Sequence, residues 1–242
     1  MSEEPENRRR EVDDTLEDAF GVNLRALTTL KDVLFRTDAV FRAFAAGDRE
    51  TYTPTIRLFV GLIALQVFVS YLWGGYAGLL LSQWQQQPNV VAQMEQLFGG
   101  PVEVITEHYG NAATFLHAVV VGGFTALSAF LVGSFNRSLG WVARVNITFT
   151  VLSAGTVFGL ILLVASALTN HMALIGFAPV AVFLSYWFFF VRGAPGVLAK
   201  TRTGTILKGG LFAAVTMIYV IIGGFVMGLI GMAYAYVRMN GG

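Results

Sequence analysis

The side chains best suited to chemistry lie close together in the middle of the chain. Glu103, Glu107 and His108 share one short polar segment, and His117 follows in the next apolar run. Glu103 and Glu107 stand four residues apart, so a helix places both carboxylates on one face. With His171 from a later loop, these carboxylate and imidazole groups could bind a metal ion. The spacing matches no zinc signature such as H-E-x-x-H, and we predict neither a metal site nor another cofactor.

The sequence contains no recognised catalytic motif. A serine hydrolase needs a nucleophile with a base and an orienting acid, and the chain contains no G-x-S-x-G motif. Cysteine nucleophiles and thiolate ligands are excluded because the sequence contains no cysteine. We therefore predict no catalytic residue. An enzyme that acts at the outer surface through Glu103, Glu107 and His108 is the third of three functional hypotheses.

His117 differs from these residues because apolar sequence surrounds it. Intramembrane charges are the usual sign of ion-coupled transport, and apart from Arg57 at the edge of the first run the apolar runs of this chain contain no Asp, Glu, Lys or Arg. His117 has two interpretations. It is a neutral imidazole bonded to a neighbouring helix, which we favour, or it forms a polar site with Glu103, Glu107 and His108.

Long apolar runs must position these residues. The run 56–81 holds twenty-six residues, of which only Arg57, near its start, is charged, whereas about 20 helical residues cross the ~30 Å hydrocarbon core. Charged residues make up only 13% of the chain, against about a quarter in soluble domains. We predict an all-α fold, a polytopic membrane helical bundle with five transmembrane helices. They cover about 56–81, 112–135, 145–168, 172–191 and 209–237.

The positive charges predict the orientation of these spans. Basic residues follow span two and span four, and none follows span one or span three. The basic residues are Arg137, Arg144, Arg192, Lys200, Arg202 and Lys208. Because cytoplasmic loops are rich in Lys and Arg, the pattern predicts a cytoplasmic N-terminus and a C-terminus outside. Tyr71 and Tyr76 would then mark the outer interface.

Polar and amphipathic segments surround the spans. We predict a disordered acidic cytoplasmic tail over 1–23 and two amphipathic helices, about 24–36 and 38–46, within a juxtamembrane segment 24–54. The five-span domain, 55–242, includes an outer cap over 82–111 with its own amphipathic helices. The residues assigned to membrane-surface anchoring are Leu27, Leu34, Phe41, Phe44, Arg49 and Arg57. The alternative, which we favour, is that the two helices pack against the cytoplasmic ends of the bundle.

Three glycine pairs at four-residue spacing allow close helix contacts. They are Gly74/Gly78, Gly155/Gly159 and Gly224/Gly228. Small residues at this spacing let membrane helices approach one another. We favour packing within one chain, and a homodimer is the alternative.

Short motifs resemble a family of uncharacterised bacterial inner-membrane proteins. That family carries L-K-D, then G-x-R-x-x-Y-x-x-P, before its first span. The matching residues are Leu30, Lys31, Asp32, Gly47, Arg49, Tyr52 and Pro54. Many members carry an N-terminal zinc ribbon, which a chain without cysteine lacks. The resemblance implies a Gram-negative inner membrane and no reaction. The layout more remotely resembles the Yip-like five-span families.

Two further hypotheses concern function. The preferred one is a non-enzymatic scaffold or accessory subunit that contacts the lipid bilayer and an unidentified membrane protein partner or a second copy. A net charge of +1 without a clustered basic face indicates no nucleic-acid partner. The alternative is a passive permease or channel for a small neutral or lipid-like solute, lined by hydroxyl groups. These are Thr114, Thr125, Ser128, Thr150, Ser153, Thr156 and Ser166.

Overall fold

The computed structural model describes residues 24–48, 50–169 and 176–241, and these residues form helices and loops without a β-strand. The acidic tail 1–23, Arg49 and His171 lie outside the described residues. Residues 170–175 lie outside them in the same way. The all-helical prediction is confirmed for the part of the chain that the structure describes.

Two short helices precede the first long one, close to their predicted bounds. Helix α1 covers Leu24–Phe35 and α2 covers Thr37–Ala45. They are separated at Arg36, whose backbone is not helical (φ −138°, ψ 44°). Gly47 follows α2 with φ 81°, a left-handed conformation that favours glycine just after a helix C-terminus.

The first apolar run is bent. Helix α3 covers Thr55–Ser70, a 3₁₀ turn covers Tyr71–Trp73, and α4 covers Gly75–Gln85. The axes of α3 and α4 differ by 60°. Gly74 and Gly75 have φ of 78° and 67°, and left-handed residues cannot continue a right-handed helix. The prediction of one uninterrupted helix over 56–81 is therefore wrong.

The predicted outer cap joins the second apolar run without a break. Helix α5 covers Pro88–Phe98 and ends at Gly99, which has φ 71°. Helix α6 covers Val102–Leu116 and leads into a π-helical turn, His117–Val121. Helices α7, Gly122–Ala126, and α8, Ser128–Phe135, complete the run. Val102–Phe135 is thus one 34-residue helical segment, which continues through residue 111, the predicted end of the cap.

Three long helices complete the bundle. Helix α9 covers Trp141–Thr169, α10 covers Ala178–Gly193 and α11 covers Arg202–Asn240. In the described residues, three segments are long and apolar enough to cross a membrane: Val102–Phe135, Trp141–Ser166 and Arg202–Asn240. A fourth is added if the bent pair α3–α4 counts as one span. Helix α10, with 16 residues, is shorter than these segments.

The core is built around α9. In its most apolar stretch 56% of the residues are buried, compared with 17% for α11. Phe190 of α10 lies at the centre of an aromatic cluster: its ring centroid is 4.9 Å from that of Phe212 and 5.7 Å from that of Phe135. Phe41 of α2 meets the same ring edge-on at 6.5 Å. The helices that precede the bundle therefore contribute to its core.

Candidate functional site

A cavity of about 280 Å³ lies where the bent pair α3–α4 meets the π-turn, α7, α9 and α10. Its wall is mainly apolar. The polar side chains in the wall are Gln66, Ser70, Tyr76, Gln83, His117, Thr125, Thr156 and Tyr186. The lining, drawn from the described residues, holds no Asp, Glu, Lys or Arg. The cavity therefore suits an uncharged molecule, since an isolated charge in such surroundings would be strongly unfavourable.

His117 and Tyr76 form the polar centre of this cavity. Their rings stack with centroids 5.4 Å apart and an interplanar angle of 24°. Nδ1 of His117 and Oη of Tyr76 are both buried, and neither has a hydrogen-bond partner among the described residues. A buried polar group left unsatisfied costs about 1–3 kcal/mol. Two such groups on stacked rings in one cavity indicate a place for a ligand atom rather than a packing error.

The backbone is irregular at both of these residues. Tyr76 directly follows Gly74 and Gly75, which end the 3₁₀ turn in left-handed conformations. His117 begins the π-turn, and single π-turns within α-helices occur frequently at functional sites. Helices α4 and α6 pack closely at Gly110, where an added Cβ would lie 2.5 Å from the backbone nitrogen of Ala77. This contact holds the helix that carries Tyr76 against the helix that leads to His117.

The other hydroxyls do not form a polar route. Thr125 and Thr156 line the cavity, but their hydroxyls donate to carbonyls of their own helices, Val121 O at 2.9 Å and Leu152 O at 3.0 Å. Thr114 and Thr150 do the same away from the cavity. Ser128 pairs with Thr216, and Ser153 donates to Thr55 O. The predicted convergence of hydroxyl groups on one pore is therefore wrong.

The structure separates the predicted polar residues. Glu103 and Glu107 are exposed on α6, and neither they nor His108 line the cavity that contains His117. The ring of His117 stacks on that of Tyr76 instead. The favoured interpretation predicts a hydrogen bond from His117 to a neighbouring helix, but Nδ1 of His117 has no hydrogen-bond partner among the described residues. No group of three potential metal ligands occurs within 24–48, 50–169 and 176–241.

The residues assigned to membrane anchoring divide into two groups. Phe41 and Phe44 are 0% and 5% exposed and belong to the main core, so they are packing residues and not surface anchors. Leu34 is partly buried against that core. Leu27, at 53% exposure, and Arg57 lie at the surface. Phe41, Phe44 and Leu34 therefore agree with the favoured alternative, in which α1 and α2 pack against the bundle.

Tyr76 was missed as a site residue because its position in the sequence resembles an interfacial aromatic. In the structure its hydroxyl is buried and its side chain lines the cavity. The available signal was the preceding glycine pair, since two adjacent left-handed residues turn the helix toward the bundle.

A second polar cluster lies at one end of the bundle, here called the basic end. It comprises α1, α2, the segment 46–54, the loops 136–140 and 194–201, and the adjoining ends of α3 and α9–α11. Arg192 donates to the carbonyls of Leu34, at 3.1 Å, and Phe35 at the end of α1. Lys208 donates to Leu198 O at 2.7 Å and Phe135 O at 3.3 Å. Cations near helix C-termini stabilise the free carbonyls there. These basic side chains therefore satisfy carbonyl groups at and near helix ends.

Long-range hydrogen bonds connect α1 to the segment before α3, among them one from Nη2 of Arg25 to Tyr52 O at 2.8 Å. The phenol of Tyr52 donates to Oδ2 of Asp32 at 2.9 Å, and the backbone N–H of Thr53 donates to the hydroxyl of Thr29 at 2.9 Å. Burial, reinforced by the hydrogen bond to Asp32 and its charge, raises the pKa of Tyr52 to about 12. Asp32 and Tyr52 are two of the residues on which the family resemblance rests.

Comparisons with known proteins give no match. No family model, no curated protein and no solved structure matches this chain. The family resemblance stays a prediction, and the functional argument rests on the geometry of the cavity.

Proposed function

We propose that this chain is a non-enzymatic, multi-pass membrane protein that admits a small neutral or lipid-like molecule to the cavity at His117. It would act as a passive permease or carrier. The observation that supports the proposal is the pair of unpartnered buried atoms, Nδ1 of His117 and Oη of Tyr76, in one 280 Å³ cavity. Polar atoms without partners destabilise the ligand-free protein, and a ligand that hydrogen-bonds to them would remove that cost.

The residues that line the cavity favour an uncharged solute. A charged group at the centre of a membrane helix costs about 2.5–3.5 kcal/mol even on the most lenient scale. The cavity offers no side chain of opposite charge among the described residues. Mainly apolar walls with a few polar groups are typical of small-molecule sites.

A cavity-filling pair of variants tests this function. Val121 lines the cavity, whereas Val119, on the same π-turn, is 73% exposed. We expect Val121→Phe to reduce the protein-dependent permeation of neutral solutes such as glycerol and short-chain alcohols into proteoliposomes. Val119→Phe should leave it unchanged, because its ring would lie outside the bundle. Equal permeation through both variants and empty liposomes would reject the permease.

The membrane layout is part of the proposal. We infer five spans, with α3–α4 crossing as one bent span and α10 extended by the residues before it. The N-terminus would face the cytoplasm of a bacterial inner membrane, and the C-terminus would lie outside. Because the chain has no cysteine, single substitutions give a clean test: Gln86→Cys should react with an impermeant maleimide in intact spheroplasts, and Ser138→Cys only after lysis. The reverse pattern would invert the topology.

The scaffold hypothesis has one supporting observation. Leu27 and Phe35 of α1 are 53% and 64% exposed although Val33 of the same helix is buried in the core. Apolar side chains in this position suit contact with a partner protein or with the lipid interface. If Leu27→Glu/Phe35→Glu abolishes co-purification of a stoichiometric partner but leaves solute permeation unchanged, the accessory role is favoured.

A further inference from the structure

Resting on the proposed function, we propose that the ligand is a neutral, mostly apolar molecule with one hydroxyl or carbonyl oxygen. That oxygen would lie between Nδ1 of His117 and Oη of Tyr76. The ligand class follows from three properties of the cavity: its hydrogen-bonding capacity, its charge and its size.

The two unpartnered atoms define the polar group of the ligand. A neutral imidazole either accepts or donates at Nδ1, depending on its tautomer, and a phenol does both. A ligand hydroxyl can accept from the Tyr76 phenol while it donates to Nδ1. A ligand carbonyl can accept from both the phenol and a protonated Nδ1. Either oxygen satisfies both buried atoms, whereas a hydrocarbon satisfies neither.

Charged versions of the same molecule are disfavoured. Among the residues that the structure describes, the lining contains no Lys or Arg to pair with a ligand carboxylate. It also contains no Asp or Glu to pair with a ligand ammonium group. Desolvation of such a group without a counter-charge is unfavourable. The recognition chemistry is therefore hydrogen bonding without ion pairing.

The apolar part of the wall defines the body of the ligand. Phe59, Ile63, Leu162 and Val182 line the cavity together with the stacked rings. The volume of about 280 Å³ is roughly twice that of the ~150 Å³ apolar cavity that binds benzene. A short alkyl chain or one to two rings would fill it. Water alone is a poorer occupant, since each molecule requires two to four polar partners.

Photo-labelling of the full-length protein in detergent micelles tests the proposal. The probes are diazirine-bearing forms of 1-octanol, 2-octanone, octane and octanoate, and the labelled peptides are identified by mass spectrometry. We expect saturable labelling of the segments around Tyr76 and His117 by the alcohol or the ketone. The more strongly labelling of these two identifies the oxygen that the site prefers.

Selectivity is measured as the ratio of alcohol or ketone labelling to octane labelling, so that partition into detergent cancels between variants. We expect this ratio to fall roughly tenfold in Tyr76→Phe and in His117→Leu, as one buried hydrogen bond is lost in each. The matched controls, Tyr219→Phe and His108→Leu, replace the same residue types outside the cavity lining and should keep the wild-type ratio.

A structural role would give a different result. If Oη of Tyr76 only supported packing, Tyr76→Phe would lower the thermal stability of the ligand-free protein. The proposal requires it to raise that stability, because the variant removes an unsatisfied buried group. The two variants act independently, so failure of one to fold leaves the other as the test.

The outcomes separate the ligand class from the proposed function. Equal saturable labelling by octane and octanol overturns the ligand class and leaves the cavity as a solute site. Strong labelling by octanoate overturns it in the same way. If none of the probes labels the cavity in the wild-type protein, both the proposed function and the ligand class fail.

Discussion

Polar side chains at the basic end have hydrogen-bond partners, whereas two buried polar atoms of the cavity have none. At the basic end, Arg192 and Lys208 each donate to two backbone carbonyls, and Tyr52 donates to Asp32. In the cavity, Nδ1 of His117 and Oη of Tyr76 have no partner among the described residues. Polar groups that stabilise a fold are paired. The contrast supports a stabilising role for the basic end and the proposed binding role for the cavity. A third buried and unpaired atom among the described residues, Oγ1 of Thr148, lies outside the cavity lining, so it is the occurrence of two such atoms together in one cavity that supports binding.

The largest effect is expected at Asn146, which connects α9 to the start of α3. Its Oδ1 accepts from the backbone N–H of Thr55 at 2.9 Å, and its Nδ2 donates to Val142 O at 2.9 Å. A helix N-terminus has unsatisfied N–H groups, so Asn146 caps α3 from another helix. We expect Asn146→Ala to lower the free energy of unfolding by about 3 kcal/mol, measured by thermal unfolding in detergent.

The control for this prediction is Asn111→Ala, which changes an exposed asparagine on α6. It should shift stability little, or raise it slightly through the higher helix propensity of alanine. If Asn146→Ala lowers the free energy of unfolding no more than Asn111→Ala does, the stability of the basic end does not depend on its paired polar groups. The contrast between the basic end and the cavity would then be wrong.

A smaller effect is expected at the glycine pair of α9. A Cβ at Gly155 would lie 2.2 Å from Cε1 of Tyr186, whereas a Cβ at Gly159 would meet only Val182, at 4.0 Å. Gly155→Ala should lower the free energy of unfolding by about 1–3 kcal/mol, the usual effect of overpacking, and should alter the cavity that Tyr186 lines. Gly159→Ala should be neutral or stabilising by up to about 1 kcal/mol. Thermal unfolding of both variants measures the difference, and equal values would show that α9 and α10 do not pack as closely as described.

Two tyrosine variants test the contrast directly. Tyr52→Phe removes the hydrogen bond to Asp32, which is 8% exposed, and should cost about 1 kcal/mol. Tyr76→Phe removes an unpartnered hydroxyl and should increase stability by about the same amount. Differential scanning fluorimetry of the two ligand-free proteins should show shifts of opposite sign. Shifts of the same sign would remove the functional distinction between the two regions.

The sequence predicted the helices better than their breaks. The apolar runs and the helices α1 and α2 follow from hydrophobic patterning, and Gly47 and Gly99 end helices as their residue type suggests. The bend at Gly74 was not predictable from hydropathy, because Gly74 and Gly75 lie within an uninterrupted apolar run. Glycine tolerates either helical or left-handed backbone, and only packing of α4 on α6 decides between them.

The site was only partly predictable for a related reason. His117 stands out in the sequence because it is an ionisable residue among apolar ones. Its partner does not, since Tyr76 is brought to it by the bend and by the close contact at Gly110. Glu103 and Glu107 lie in the same helical segment as His117, Val102–Phe135, but their side chains are exposed. Proximity along the chain was therefore a poor guide to proximity in the bundle.

The smallest effect is the pH dependence at the basic end. Burial and the hydrogen bond to Asp32 raise the pKa of Tyr52 to about 12, compared with about 10 for an unfolded tyrosine. A raised folded-state pKa gives a stabilising contribution that is complete below pH ~10 and is lost as the pH rises through ~12. The difference in unfolding temperature between wild type and Tyr52→Phe should therefore be constant below pH ~10 and shrink or reverse above it. The phenolate absorbance of Tyr52 is obtained as the difference between wild type and Tyr52→Phe and should appear near pH 12. Its appearance near the ordinary pKa would show that Tyr52 and Asp32 do not form the buried pair.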